Sequence, residues 1–269
     1  MLSVRTVRQL LMELGIYPSK RFGQTFLIDE SIAEREIESA QIRPKDTVLE
    51  IGPGLGVLTE RIVQKARRVV AIENDRRLAI YLREKFGDAL EVVEGDAMDA
   101  KLPKFDVAIG NLPYSVSSQL IFRLVNSGMK KGLFMIQKEM ALRVVAPPFT
   151  AEYSRMAAVL QRSNHIELLF DVGHTHFYPQ PDVDSSVLRF VAIRGVKKWP
   201  EYERAAALLF SQRRKTIASI LRKTVRGGID LDGMPFGTRR MEELNVKQIE
   251  ELVKWMSGNE RLAPLLRNE

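Results

Sequence analysis

The sequence predicts an α/β protein, a parallel sheet wrapped by helices and followed by a small all-helical domain, and three observations predict it. Several β-rich runs recur along the first half, each ending in a glycine, an acid or an amide. The first of them passes straight into a glycine turn and an expected helix. Past residue 194 the apolar spacing becomes helical and the charge strongly basic.

Residues 1–14 come first, with Val7, Leu10, Leu11 and Leu14 at helical spacing beside Arg5 and Arg8. A transit peptide shares that pattern. This segment runs within a few residues into Lys20-Arg21-Phe22-Gly23 and leaves no cleavable spacer, so an ordinary leading helix is expected.

Thr47-Val48-Leu49-Glu50-Ile51 is the first predicted strand, and Gly52-Pro53-Gly54-Leu55-Gly56 follows it. A helix is expected to begin in Val57-Leu58-Thr59-Glu60. Strand, glycine turn and helix form a nucleotide-binding order. The G-x-G-x-G spacing is sharper than that of dinucleotide sites and suits a ligand without a pyrophosphate. The second run, 68–72, ends at Glu73, where a carboxylate at a strand tip can accept from both ribose hydroxyls. The third, 90–94, leads to Gly95-Asp96-Ala97, and an acid there can accept from an adenine amine. Taken singly, Glu73 or Asp96 reads equally as a helix cap or a solvated loop acid. The register of all four strand tips favours a common site.

The fourth run, 105–109, leads to Asn111-Leu112-Pro113-Tyr114. An amide oxygen and the carbonyls of a proline-bounded turn can accept from an exocyclic amine while the tyrosine ring stacks on a base. Alone, the tetrapeptide reads as a loop after a strand. Set beside the upstream motifs, it points to methylation of a base amine.

Glu50-Ile51-Gly52-Pro53-Gly54-Leu55-Gly56 and Asn111-Leu112-Pro113-Tyr114 occur with Lys20-Arg21-Phe22-Gly23-Gln24-Thr25-Phe26-Leu27 and Phe177-Tyr178-Pro179-Gln180-Pro181-Asp182-Val183-Asp184-Ser185. In this set and order the chain resembles the ribosomal RNA adenine dimethyltransferases, the bacterial kasugamycin-sensitivity enzyme and its archaeal and eukaryotic dimethyladenosine transferase relatives. The resemblance runs from about residue 19 to about residue 258. It implies a Rossmann-like class I methyltransferase sheet, S-adenosylmethionine as cofactor, and two adjacent adenosines near the 3′ end of small-subunit ribosomal RNA as acceptors. Carried over by position, Gln24, Thr25, Leu27, Gly52, Gly54, Glu73, Asp96, Ala97 and Asn111 would contact the donor. Asn111, Leu112, Pro113 and Tyr114 would hold the base from one side and Phe177 would meet it from the other. Thr25 stands where the family carries asparagine or histidine, which puts one donor contact in question.

Methyl transfer to an adenine amine needs little acid–base help, because the proton becomes acidic only as the methyl bond forms. Positioning and electrostatics are expected to dominate. His174 and His176 lie two apart with no further histidine or cysteine to complete a metal site, so no metal is expected. Phe177 has core packing as its plain alternative.

The chain has 269 residues, 45% of them hydrophobic, enough for one α/β domain and a smaller appendage. The absence of cysteine excludes disulfides and thiolate metal sites and agrees with a reducing cytoplasm. No long apolar run suggests a membrane span. The lack of Cys and the abundance of Arg and Glu point to a thermophile, and the resemblance to an archaeal or thermophilic member of that family.

Net charge is +7, and residues 194–226 hold ten Lys or Arg against Glu201 and Glu203, a surplus of eight. All of the excess lies in that segment, as a phosphate-contacting surface requires. A helix over 201–226, ended by Gly227-Gly228, would put Arg204, Ser211, Lys215, Arg222 and Arg226 on one face. Arg204, Lys215, Arg222, Lys223 and Arg226 are the expected RNA contacts, and Arg213 falls on the apolar side as a structural residue. A solvated amphipathic helix is the alternative. The last strands are expected at 165–170 and 186–193, with 177–185 as a loop between them. The domain boundary is expected after residue 194, which gives a catalytic domain over 1–194 and a helical RNA-binding domain over 195–269. Met241-Glu242-Glu243-Leu244 and residues 246–256 read as short helices, with Asn245 as a helix start. A monomer is expected.

Two other readings stay open. One is an adenine methyltransferase acting on large-subunit RNA or on DNA, which share the amide-x-Pro-aromatic motif. The other is a noncatalytic ribosome assembly factor on the same fold.

Overall fold

A computed structural model describes residues 4–18, 24–225 and 228–267. By the packing of its backbone the chain divides into two compact units, Met1–Ala141 with Ile166–Ala192, and Leu142–His165 with Ile193–Glu269. Residues 142–165, which the sequence reading places in the first domain, thus pack with the second. That long-range pairing leaves no local mark in the sequence.

In the first unit α1 (Val4–Glu13) turns Val7 and Leu11 into a cluster with Ile16, Phe26, Leu55 and Leu78, so the leading segment is a packed helix. The two-residue strand β1 (Phe26–Leu27) is followed by α2 (Glu30–Ala40), whose start is fixed by Asp29 accepting from the Ser31 N–H at 2.9 Å. Strands β2 (Thr47–Ile51), β3 (Arg68–Glu73), β4 (Glu91–Glu94), β5 (Val107–Asn111) and β6 (Lys131–Gln137) pair in parallel. Between them lie α3 (Thr59–Ile62), α4 (Arg76–Phe86) and α5 (Ser117–Asn126).

The chain then runs through α6 (Lys138–Val145) and α7 (Arg155–Ser163) to β7 (Asn164–Val172), the short β8 (Phe177–Tyr178) and β9 (Ser185–Ala192). The sheet order is β4-β3-β2-β5-β6-β9-β7, with β9 antiparallel to β6. Strands β2 and β3 bury nearly every residue on both faces, which is why they read as continuous apolar runs. Strand β6, with the run Lys-Gly-Leu-Phe-Met-Ile-Gln, is an element the sequence reading did not identify. Chain order reverses between β2 and β5, and a parallel sheet opens its ligand crevice at the carboxyl end of such a pair.

The second unit is helical, with α8 (Pro200–Phe210), α9 (Ile217–Thr224), α10 (Val246–Gly258) and α11 (Ala263–Leu266). Its core gathers Tyr153, Ala157, Tyr202, Leu209, Ile220, Met241, Leu252 and Met256. The Tyr153 and Tyr202 hydroxyls, buried with their rings, donate to the Leu244 and Ala158 carbonyls at 3.0 and 3.1 Å. Asn245 and Gln248 close a reciprocal capping box at the start of α10.

The single helix expected over 201–226 is two helices. After Phe210 the chain turns, Thr216 caps α9, and backbone N–H groups of Ile217 and Ala218 donate to the carbonyls of Arg239 and Gly237. Hydrogen bonds to carbonyls at 237 and 239 replace the helical ones, and local propensity yields. Arg213 pairs with Glu242 at 3.0 Å and donates to the Ala151 carbonyl, a structural role. Among the described residues no helix is long and apolar enough to cross a membrane.

Candidate functional site

Parallel pairing brings the carboxyl ends of β2 to β5 to one edge of the sheet, and with them Gly52, Glu73, Asp96 and Asn111. The Gly52 N–H donates to the Ile72 carbonyl and the Gly95 N–H to the Glu73 carbonyl, so the tips follow one another in register. Gly52 has φ 64° and an added Cβ would project into open space, a backbone bare toward the crevice.

Glu73 is buried at the tip of β3, and its two oxygens accept from the N–H groups of Gly54 at 3.1 Å and Asp75 at 2.9 Å. Burial raises its pKa, and the two backbone donors oppose that rise by stabilising the carboxylate. Each carboxylate oxygen keeps a second lone pair, the capacity a ribose diol requires. Beneath the glycine turn, Glu50 is fully buried and accepts from the Thr59 hydroxyl at 2.8 Å. Burial first, and the neighbouring Glu73 with it, push Glu50 up to about 8.

Asp96 is exposed, and its Oδ1 accepts from the Met98 N–H at 2.8 Å, so it shapes the turn that carries Ala97. Gln24 and Thr25 are half-buried at the start of β1. Leu27 is a core side chain, which leaves its backbone as the part able to face a ligand. Residues 20–23 of the same motif lie outside the described residues.

Asn111 is the last residue of β5, and its Oδ1 is buried without a hydrogen-bond partner. Leu112 is buried and anchored by its N–H to the Met135 carbonyl at 3.0 Å. Pro113 contributes no N–H and turns the chain so that Tyr114 comes next to Ser185, their hydroxyls 2.7 Å apart. The Tyr114 pKa is raised by burial. Ser117 donates to the Tyr114 carbonyl at 3.2 Å, which ties the turn to α5.

Phe177 differs from expectation. It is 3% exposed and pairs with Leu27 in the β1–β8 ribbon, where its ring belongs to the core of the first unit. In this structure the ring packs in the core and has no open face. His174 and His176 each face a carboxylate, Asp184 at 2.9 Å and Asp29 at 2.8 Å. Among the described residues no cluster of three or more His, Asp or Glu able to hold a metal occurs.

Of the expected RNA contacts in the second unit, Lys215, Arg222 and Lys223 are exposed. Arg204 is half-buried and donates to the Leu266 carbonyl at the end of α11. Arg226 lies outside the described residues. The common face expected of these residues is lost because the helix carrying them is broken at 211–216. Sequence reasoning also missed Glu36, a fully buried acid on α2, and the Ser185 partner of Tyr114. The signal for Glu36 is its place at helical spacing among Ala33, Ile37 and Ala40, all buried.

The family model for ribosomal RNA adenine dimethylase matches residues 18–257. The chain belongs to the ribosomal RNA adenine dimethylase family. A probable ribosomal RNA small subunit methyltransferase A from Thermococcus kodakarensis is 35% identical over 260 residues, covering 91% of this chain and 93% of the relative. A ribosomal RNA small subunit methyltransferase A from Cupriavidus metallidurans is 37% identical over 266 residues, covering 91% and 95%. Among solved structures, a dimethyladenosine transferase from Plasmodium falciparum superposes with a TM-score of 0.78 at 27% identity, covering 85% of this chain and 96% of that one. The 23S rRNA methyltransferase ErmE superposes with a TM-score of 0.67 at 27% identity, covering 88% and 99%. As a member of the dimethylase family the chain is a methyltransferase.

Proposed function

We propose that this enzyme transfers methyl groups from S-adenosylmethionine to the exocyclic amines of two adjacent adenosines near the 3′ end of small-subunit ribosomal RNA, giving N6,N6-dimethyladenosines during ribosome biogenesis. The observation that carries the reading is Asn111, whose carboxamide stands at the switch-point crevice with its oxygen buried and unpartnered. A buried acceptor left without a donor costs free energy unless a ligand supplies one.

The residues present fit the donor. Gly52 offers bare backbone, Glu73 keeps acceptor capacity for the ribose, and Asp96 with Ala97 would frame the adenine. S-adenosylmethionine supplies an electrophilic methyl group when bound. Asn111 Oδ1 and the Leu112 carbonyl accept from the target amine, which favours a pyramidal nitrogen and directs its lone pair toward that methyl. Tyr114 stacks on the base while its hydroxyl stays tied to Ser185. No general base is required, since the methylated nitrogen loses its proton to water once the bond has formed. Lys215, Arg222 and Lys223 supply phosphate contacts, and the enzyme acts as a cytoplasmic monomer on the pre-ribosomal small subunit.

The test is transfer of label from the donor to unmethylated small subunits, large subunits and plasmid DNA in parallel. Label confined to dimethyladenosine from small subunits supports the reading. Label in large subunits or DNA contradicts the assigned substrate, and absence of label despite donor binding contradicts the reaction.

A further inference from the structure

Four buried side-chain polar atoms among the described residues have no hydrogen-bond partner, and three of them belong to one neighbouring pair: both carboxyl oxygens of Glu36 and Oδ1 of Asn111. The fourth is Arg123 Nε. Such atoms are rare in folded proteins, and each one invites a physical reason. Three together at one strand tip point to a role that the packing of the core does not supply.

Helix α2 has no structural use for an acid at this position. Its inner face is Ala33, Ile37 and Ala40, and an apolar residue at 36 would avoid the desolvation of a carboxyl. Burial pushes Glu36 up to about 8, the Asn111 amide beside it lowers it, and Glu50 raises it. From β5 and β2 the groups facing Glu36 are thus Asn111 and Glu50. The charged groups on the other elements packed against α2 are engaged elsewhere. Lys131 of β6 binds the Gln41 carbonyl, Arg189 of β9 pairs with Glu167, and on α3 Arg61 pairs with Glu34 and Glu60 with Lys85. Among the described residues of these elements, none of the cations is paired with the Glu36 carboxyl.

A carboxamide has two ends of nearly equal shape, one an acceptor and one a donor. Only the acceptor end suits an incoming amine, because the N–H end would face the N–H groups of the base. From this geometry we infer that Glu36 is a positioning residue for Asn111: its carboxyl stands beside the carboxamide to accept the Asn111 Nδ2–H, and leaves Oδ1 turned to the target amine. This rests on the reading of Asn111 as the residue that receives that amine, and it gives Glu36 no contact with substrate.

Two readouts test it, one independent of methyl transfer. In the ¹⁵N-labelled protein free of donor and RNA, the Asn111 side-chain amide signals are identified by their loss in Asn111→Ala. They should shift as pH is raised through about 8 and stop doing so in Glu36→Gln. In steady-state kinetics Glu36→Gln, which keeps an acceptor oxygen, should retain kcat within about threefold. Glu36→Leu, which fills the space but cannot accept, should lower kcat by about tenfold or more with KM for donor and RNA unchanged. Asn111 signals indifferent to pH in the unsubstituted protein, or full kcat in Glu36→Leu, would overturn the inference. If the unsubstituted enzyme transfers no methyl group, the functional reading fails by itself, and the amide signals still decide the Glu36–Asn111 contact.

Discussion

The Gly54 N–H donates to Glu73 Oε2 at 3.1 Å, so the glycine turn after β2 is held directly by the acid at the tip of β3. One side chain thereby sets the shape of the loop and, in the proposed function, presents the acceptor for a ribose. The two roles separate on substitution.

Glu73→Gln keeps one acceptor oxygen for the turn but loses the charge that faces the diol. Its folding stability should fall by about 1 kcal/mol, and the affinity for S-adenosylhomocysteine should drop by about tenfold or more, the scale of one charged hydrogen bond. Calorimetric titration of product and a urea melt, run on the same preparation, check the split.

Gly52 and Gly110 should lose different properties on substitution by alanine. A Cβ on Gly110 would lie 2.6 Å from the Ile51 carbonyl oxygen, so Gly110→Ala should destabilise the fold by about 1–3 kcal/mol. At Gly52 the added Cβ meets nothing, and only the left-handed backbone adds strain of about 1 kcal/mol. Donor affinity should nevertheless be the property lost in Gly52→Ala. Thermal melts with and without product distinguish the two.

Tyr114→Phe should be mild and Tyr114→Ala severe. Phenylalanine keeps the stacking ring and forfeits only the 2.7 Å contact with Ser185, a loss of about 1 kcal/mol in stability. Alanine removes the stack, worth about 1–3 kcal/mol per base, and should appear as a lower kcat/KM for RNA with donor binding intact.

Stability should decline between pH 4.5 and 8. Glu36 and Glu50 titrate at about 8 in the folded protein against 4.5 ordinarily, so within that window the unfolded chain has released protons that the folded chain retains. Below the window both states are protonated and the contribution is whole. It is lost as pH rises, by at most about 1.4 kcal/mol per pH unit for each acid. Glu36→Leu removes one of the two and should flatten the pH dependence of the urea midpoint. An unchanged slope would contradict the burial-driven shift.

Replacing Lys215, Arg222 and Lys223 together by alanine should weaken binding to ribosomal RNA and reduce the slope of log affinity against log salt by about 2–3. Binding of donor should be unchanged. Filter binding across a salt series measures both terms.

The tips of β2, β3 and β5 were legible because buried parallel strands are apolar runs, and each tip ends in a residue of different chemistry. The pattern at 47–51 coincides with β2, and Asn245 does start a helix. What stayed hidden depends on contacts distant in sequence. Residues 142–165 join the second unit through packing alone. The break at 211–216 exists because residues 237–240 take over the hydrogen bonds of Ile217 and Ala218. The bond from Arg204 to the Leu266 carbonyl joins residues sixty-two apart and leaves no mark in the sequence. Phe177 reads as a loop aromatic until its pairing with Leu27 buries it. Glu36 escapes notice because an acid in a helix is ordinarily assigned to the wet face.

The most direct test of the account is the nucleoside content of small-subunit RNA after reaction with the unsubstituted enzyme and with Asn111→Ala, each at saturating donor and matched RNA occupancy. The account predicts N6,N6-dimethyladenosine at two adjacent positions near the 3′ end with the first protein and none with the second, while both bind RNA alike. Dimethyladenosine formed by Asn111→Ala, or none formed by either protein on subunits that both bind, would contradict it.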